Sequence, residues 1–301
     1  MSPKTLTQSL TLLSLAFLPW PGRVRALYRA LSDRNSLCRE KLYLNLGYWK
    51  DRAADLDAAA EAMADLLART ARLTTDDEVL DAGFGFADQD IFWAEKYHPK
   101  VIHGINISPE QVRQAQARIH ERGCGSVIRL TTGDATTLPF SNESFDVVLA
   151  LESAFHFHTR QDFFREAQRV LRPGGRLALA DLTATGKRLA FKDRCAELIG
   201  RSFWQIPKAN LYPSTAYQER LAACGFAPVQ VSSIWPDVYP PFADYARTRL
   251  QDQDVIRRMS PLFRRLLSSS LKARRKLSPE AMDYILVLAI KPSSQDASKQ
   301  R

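Results

Sequence analysis

Between residues 76 and 182 short β-branched or apolar runs alternate with longer stretches of helical spacing, the signature of βαβ units and a parallel sheet. Five runs read as strands: EVLDA (78–82), VIHGIN (101–106), VIRLTTG (127–133), FDVVLAL (145–151) and RLALADL (176–182). Between them, 88–96, 109–122 and 161–171 carry helical spacing, and Ser108-Pro109 offers a cap followed by a first-turn proline. No internal repeat is visible. After Asp181 the regularity weakens. A helical stretch over 189–203 leads through IPKANLYP to a helix over 215–224, a strand over 229–234 and a late strand over 284–290. The polar residues after 293 read as a frayed tail.

This pattern predicts an N-terminal helical lid region (1–70), a core formed by 71–235 and 281–292, a basic helical cap inserted at 236–280, and a tail at 293–301. A chain of 301 residues with 45% hydrophobic content is long enough to bury such a core. The four cysteines, Cys38, Cys124, Cys195 and Cys224, form no CxxC pair, so neither a disulfide framework nor a metal site is read from them, and a reducing cytoplasm fits. The apolar run LTLLSLAFLPW (10–20) is too short to span a bilayer and is closed by Pro19 and Pro21. It reads as a packed or membrane-touching helix, with a cleaved signal as the alternative.

Candidate chemistry centres on VLDAGFGFADQD (79–90). A strand ends at Asp81 and runs into Gly83-Phe84-Gly85 before a helix, at the edge where open α/β sheets bind ligands. Glycines there let the backbone turn sharply and approach a ligand, and the helix start offers free N–H groups. The dinucleotide pattern GxGxxG is not met, because Asp88 stands at its third position. The next strand ends in GINISPEQV (104–112), placing Asn106 at a strand tip. The third runs into Gly133-Asp134-Ala135, the fourth is SFDVVLALES (144–153), and RVLRPGGRLALAD (169–181) joins a helix to the fifth strand through a Pro-Gly-Gly turn.

In this order and spacing the segments resemble the class I methyltransferases, and more closely the branch that includes quinone, tocopherol, sugar and macrolide methyltransferases. The resemblance covers residues 40–182; NLGYWKD (45–51) is typical of that branch, in which the preceding segment folds over the cofactor. It implies a doubly wound α/β fold with a mostly parallel seven-stranded sheet and helical caps at both ends, S-adenosyl-L-methionine as cofactor, and a small hydrophobic acceptor such as a natural product, quinone or lipid. Residue by residue, it implies that Asp81, Gly83 and Gly85 lie along the methionine part. Asn106 would hold the ribose hydroxyls beside Ile107 and Gln111, Asp134 and Ala135 would approach the adenine, and Leu151 would back the cofactor. Tyr48, with Tyr43 and Trp49, would close the pocket, simple packing being the alternative. Many relatives carry an acidic residue at the position of Asn106; an amide offers one acceptor oxygen to two hydroxyls, which implies modest affinity.

Methyl transfer needs an in-line nucleophile at near-attack distance, and most of the rate can come from positioning and desolvation. ESAFHFH (152–158) follows the fourth strand, on the acceptor side in relatives. His156 is the candidate general base, since imidazole titrates near neutral pH; packing at a strand exit is the competing role. Asp181, at the fifth strand tip, would orient His156 or bind the acceptor, with capping of the following loop as the alternative.

The net charge of +9 is local: ten Lys and Arg lie between Arg247 and Lys276, against Asp252 and Asp254. Over 255–277 apolar residues recur at helical spacing among the arginines. Such a stretch either lies on an anionic membrane, giving a cytoplasmic protein peripheral at a membrane, or forms a solvated lid over the substrate. A nucleic-acid methyltransferase would explain the charge, but no NPPY-type or Pro-Cys motif and no RNA-binding module accompany it, so no nucleic-acid partner is expected. A non-catalytic cofactor-fold binding protein and a nicotinamide oxidoreductase remain as rivals at the level of fold.

Overall fold

The computed structural model describes residues 22–30, 37–50, 52–187, 204–277 and 281–293. The run at 10–20 and the helical stretch at 189–203 lie outside these. Helix α1 (Gly22–Ala30) precedes an extended strap (37–50) and helix α2 (Leu56–Thr70), which Asp55 caps by accepting a hydrogen bond from the Ala58 N–H. Strands and helices then alternate: β1 (Glu78–Ala82), α3 (Asp88–Tyr97), β2 (Val101–Asn106), α4 (Pro109–Glu121), β3 (Ile128–Thr132), β4 (Phe145–Leu151), α5 (Arg160–Val170) and β5 (Leu171–Ala184). The remainder comprises α6 (Ser214–Ala223), β6 (Val229–Ser233), α7 (Trp235–Arg249), α8 (Gln253–Arg258), α9 (Pro261–Leu277) and β7 (Met282–Ile290).

The sheet has seven strands in the order β3-β2-β1-β4-β5-β7-β6. The first five are parallel, and β7 pairs antiparallel with both β5 and β6. Val79, Leu80, Val147 through Ala150 and Leu177 through Ala180 are fully buried, as strands covered by helices on both faces require. The chain turns from one half of the sheet to the other between β1 and β4, so their carboxyl ends flank the crevice at the topological switch point. Local chemistry supports this layout. Ser108 caps α4 through the Gln111 N–H, and Thr159 with Asp162 forms a capping box on α5.

Two elements depart from the pattern reading. The ladder of the fifth strand starts at Leu171, paired with Phe145, and Pro173-Gly174-Gly175 forms an irregularity inside it rather than a turn before it. The basic insertion is three helices, and the apolar stripe of the last two (Val255, Met259, Phe263, Leu267, Leu271) is buried against the protein's own core, leaving Leu262 and Leu266 partly exposed. Among the described residues no helix is long and apolar enough to cross a membrane.

Candidate active site

The carboxyl ends of β1, β2, β3 and β4 surround a cavity of about 800 Å³. At the β1 tip the Gly83 N–H donates to the Ile105 carbonyl at 2.8 Å. Gly83 has φ +93°, and a Cβ there would sit 2.4 Å from the Cβ of Ser153; the turn therefore requires glycine on both conformational and steric grounds. Ser153 Oγ donates to the Ala82 carbonyl at 2.5 Å, tying the tips of β1 and β4 together.

At the β2 tip Asn106 Oδ1 accepts the Ser108 N–H at 3.0 Å, while its Nδ2 donates to Gln111 Oε1 at 3.1 Å. Gln111 Nε2 is buried without a hydrogen-bond partner among the described residues, in a side chain that lines the cavity. A buried donor of this kind calls for an acceptor from a ligand or water. Beyond β3, Asp134 Oδ1 accepts from both the backbone N–H and the hydroxyl of Thr136, and Ala135 follows it on the wall.

The strap closes one side. Its Leu42, Leu44 and Asn45 line the cavity, and it is pinned at several points. The Leu42 N–H donates to Asp88 Oδ2, a carboxylate that Arg118 grips at 2.6 Å; the Leu46 N–H donates to Glu152 Oε1 at 2.7 Å, and the Trp49 N–H to the Asp237 carbonyl at 2.8 Å.

At the β4 exit a single 3-10 turn (Ala154–His156) carries His156 into the cavity wall beside Glu152, Ser153 and Phe157. Asn210 holds this turn by donating to the carbonyls of Phe155 at 3.1 Å and Phe157 at 2.7 Å. Burial drives the His156 imidazole down to about 3, with the nearby Arg160 charge acting in the same direction and backbone groups of Gln205 and Trp204 opposing it. Such a ring is neutral at pH 7, and its burial argues against the general-base role expected for it. Glu152 is moved the other way, up to about 8, chiefly by burial.

Of the sequence-predicted residues, Gly83, Gly85, Asn106, Ile107, Gln111, Asp134, Ala135, Leu151 and His156 line this one cavity. Three do not. Asp81 is fully buried beneath the glycine loop, where it accepts from Gln89 Nε2 at 3.1 Å; burial raises its carboxyl and that of the neighbouring Asp90 above the usual range. Tyr48 packs against the core, its N–H donating to the Ala59 carbonyl, so the strap's leucines do the closing instead. Asp181 is fully buried in an ion pair with Arg160, accepting also from Tyr217 and from the Leu182 N–H. It faces neither His156 nor the cavity, and its bond to Leu182 is the capping alternative. The reading missed Val24, Leu42, Leu44 and Gln89 on the wall.

Residues 80–179 match the family described as a methyltransferase domain. Over 279 residues, 91% of each chain, the protein is 36% identical to the erythromycin 3''-O-methyltransferase of Saccharopolyspora erythraea. The chain belongs to the class I S-adenosylmethionine-dependent methyltransferases. Another relative of this methyltransferase is the 27-O-demethylrifamycin SV methyltransferase of Amycolatopsis mediterranei, 38% identical over 54% of this chain and 59% of that protein. The fold is shared with a cyclopropane synthase of Mycobacterium tuberculosis, at a TM-score of 0.77 and 21% identity, covering 91% of this chain and 99% of that one.

The residues present fit S-adenosylmethionine. The glycine cradle admits backbone approach, and a buried amide donor stands ready at the β2 tip. The methyltransferase therefore transfers a methyl group to a small-molecule acceptor.

Proposed function

We propose that this methyltransferase acts on a hydroxyl group of a macrolide-type natural product. The observation that carries the reading is 36% identity to the erythromycin 3''-O-methyltransferase over nine-tenths of both chains. The wall supports it: Val24, Leu42, Leu44 and Phe157 offer apolar surface to a lipophilic acceptor.

Within the cavity, Gly83 and Gly85 would lie along the methionine part of the cofactor, Asn106 and Gln111 at the ribose, and Asp134 with Ala135 at the adenine. When bound, the cofactor supplies an electrophilic sulfonium methyl. The chain's part is to position the acceptor, to exclude water with the strap and to accept a proton. His156, neutral and tilted at 42° to the Phe155 ring with centroids 4.1 Å apart, would shape the acceptor wall rather than titrate.

The test is incubation of the purified protein with S-adenosylmethionine and desmethyl macrolides, followed by mass fragmentation. A product methylated on a macrolide hydroxyl is expected. No product from the macrolides, together with a methylated amine or carbon from a source-cell extract, would overturn the reading.

The outward strip of Leu262 and Leu266, flanked by exposed Arg257 and Arg265, supports a weak peripheral contact with anionic lipid. Co-sedimentation with phosphatidylserine vesicles at low salt, lost in the Leu262→Glu/Leu266→Glu variant, is the expected result; no co-sedimentation would remove this contact.

A further inference from the structure

Glu152 is the one carboxylate in the cavity wall at the β4 exit, and three features set it apart from a packing residue. Its backbone is left-handed, with φ +49°, a conformation that costs a non-glycine residue free energy and persists where the surroundings enforce it. Its side chain is divided. Oε1 accepts from the Leu46 N–H and from the Tyr284 hydroxyl, both at 2.7 Å, which leaves Oε2 free to meet a ligand in the cavity that the residue lines. Finally, the charged and titratable groups around it do not neutralise it. Tyr284 on β7 donates a hydrogen bond, Asp181 on β5 is a like charge engaged by Arg160, and His156 on the adjoining turn is neutral. Among the described residues no cation pairs with Glu152, although its carboxyl opens onto a site whose cofactor is a sulfonium.

We propose that Glu152 is the proton acceptor of the methyl transfer, its carboxylate form favoured by the positive charge of the bound sulfonium. An opposite charge placed in a buried site favours the charged form of a carboxyl, so the base is generated only when the methyl donor is in place. This rests on the hydroxyl-acceptor reading above. In the step itself the acceptor oxygen forms a bond to the methyl carbon and the carbon–sulfur bond breaks with its electron pair going to sulfur. The hydroxyl proton passes to Oε2, from which it later returns to solvent. Because Oε1 alone carries the contacts to the strap and Tyr284, Glu152→Gln retains both and removes only the titration.

The deciding measurement needs no acceptor. Calorimetry at pH 7 in buffers of different ionisation enthalpy counts protons released on binding; S-adenosylmethionine and S-adenosylhomocysteine share every titratable group and differ in the sulfonium charge. Wild type is expected to release most of one proton more with the sulfonium ligand than with the thioether, and Glu152→Gln is expected to release the same number with both. With a turned-over acceptor, Glu152→Gln should lose about 100-fold in kcat together with the acid limb of the wild-type kcat profile, which lies below pH 7 once the sulfonium has ionised the carboxyl, while binding S-adenosylhomocysteine as wild type does. Equal proton release by wild type with the two ligands, or an unchanged pH limb in Glu152→Gln, would overturn the proposal. A product methylated on carbon or nitrogen would instead remove the hydroxyl reading, and mass fragmentation separates that failure from the calorimetric one.

Discussion

Arg160 Nε lies 2.9 Å from Asp181 Oδ2, with both side chains sealed from solvent. The guanidinium also sits 5.2 Å from the ring centroids of Tyr212 and Tyr217, and its Nη1 donates to the Asn210 carbonyl at 2.6 Å. Asn210 in turn grips the turn that carries His156. Asp181 thus reaches the cavity through a chain of buried contacts and acts on its shape.

Removing one partner of this pair leaves a buried charge uncompensated. Asp181→Ala should cost about 3–5 kcal/mol of stability, read from denaturant unfolding, while the Asp181→Leu/Arg160→Met double variant should recover most of that loss. A loss below 1 kcal/mol for the single variant would mean that the pair contributes little.

Asn210→Ala should lower kcat by about tenfold through a misplaced acceptor wall and leave binding of S-adenosylhomocysteine within about threefold, since Asn210 supports the β4-exit turn and not the β2 and β3 tips proposed for the adenosine. Steady-state kinetics beside calorimetry checks the split.

Gly83→Ala places a Cβ 2.4 Å from Ser153 Cβ in a backbone that L side chains rarely adopt. The loop has to shift, and cofactor affinity should fall more than tenfold with a stability cost of about 1–3 kcal/mol. Unaltered calorimetric affinity would show that the loop does not contact the cofactor. At the neighbouring tip, Asn106→Ala removes the amide that orients Gln111 and Ser108, and a weakening of about tenfold is expected from the loss of one to two hydrogen bonds.

His156 gives a stability signature with a defined sign. The unfolded imidazole binds its proton near pH 6.5 and the folded one only near pH 3, so the unfolded state holds more protons between these values. Stability is therefore lost as pH falls through that window, by up to about 1.4 kcal/mol per pH unit for this group. His156→Phe should show a shallower decline than wild type in urea unfolding from pH 6.5 to 4; parallel declines would mean that the ring is not held neutral.

The parallel core was legible because its strands are short apolar runs ending in chemically distinctive tips: Gly83, Asn106, Asp134 and Glu152 follow their strands directly. Residues that reach the cavity from elsewhere carried no such mark. Val24 belongs to a helix far upstream, and Leu42 and Leu44 look like ordinary apolar positions until the strap is folded over. The strap was recognised, but its aromatic Tyr48 drew the attention while the leucines before it line the wall. Asp181 was misplaced for a related reason: a carboxylate at a strand tip looks available until its partner Arg160, supplied by a helix start, is seen. The sequence places His156 just after β4, but burial, which sets its basicity, is a property of the assembled wall.

The strap's attachments have a kinetic consequence. Leu42, Leu46 and Trp49 bind three different parts of the molecule through backbone N–H groups, at Asp88, Glu152 and Asp237. If spent cofactor leaves on this side, its escape has to wait until several such bonds are undone together. Loosening the Leu46 tether would then quicken that escape even as it weakens retention of the ligand.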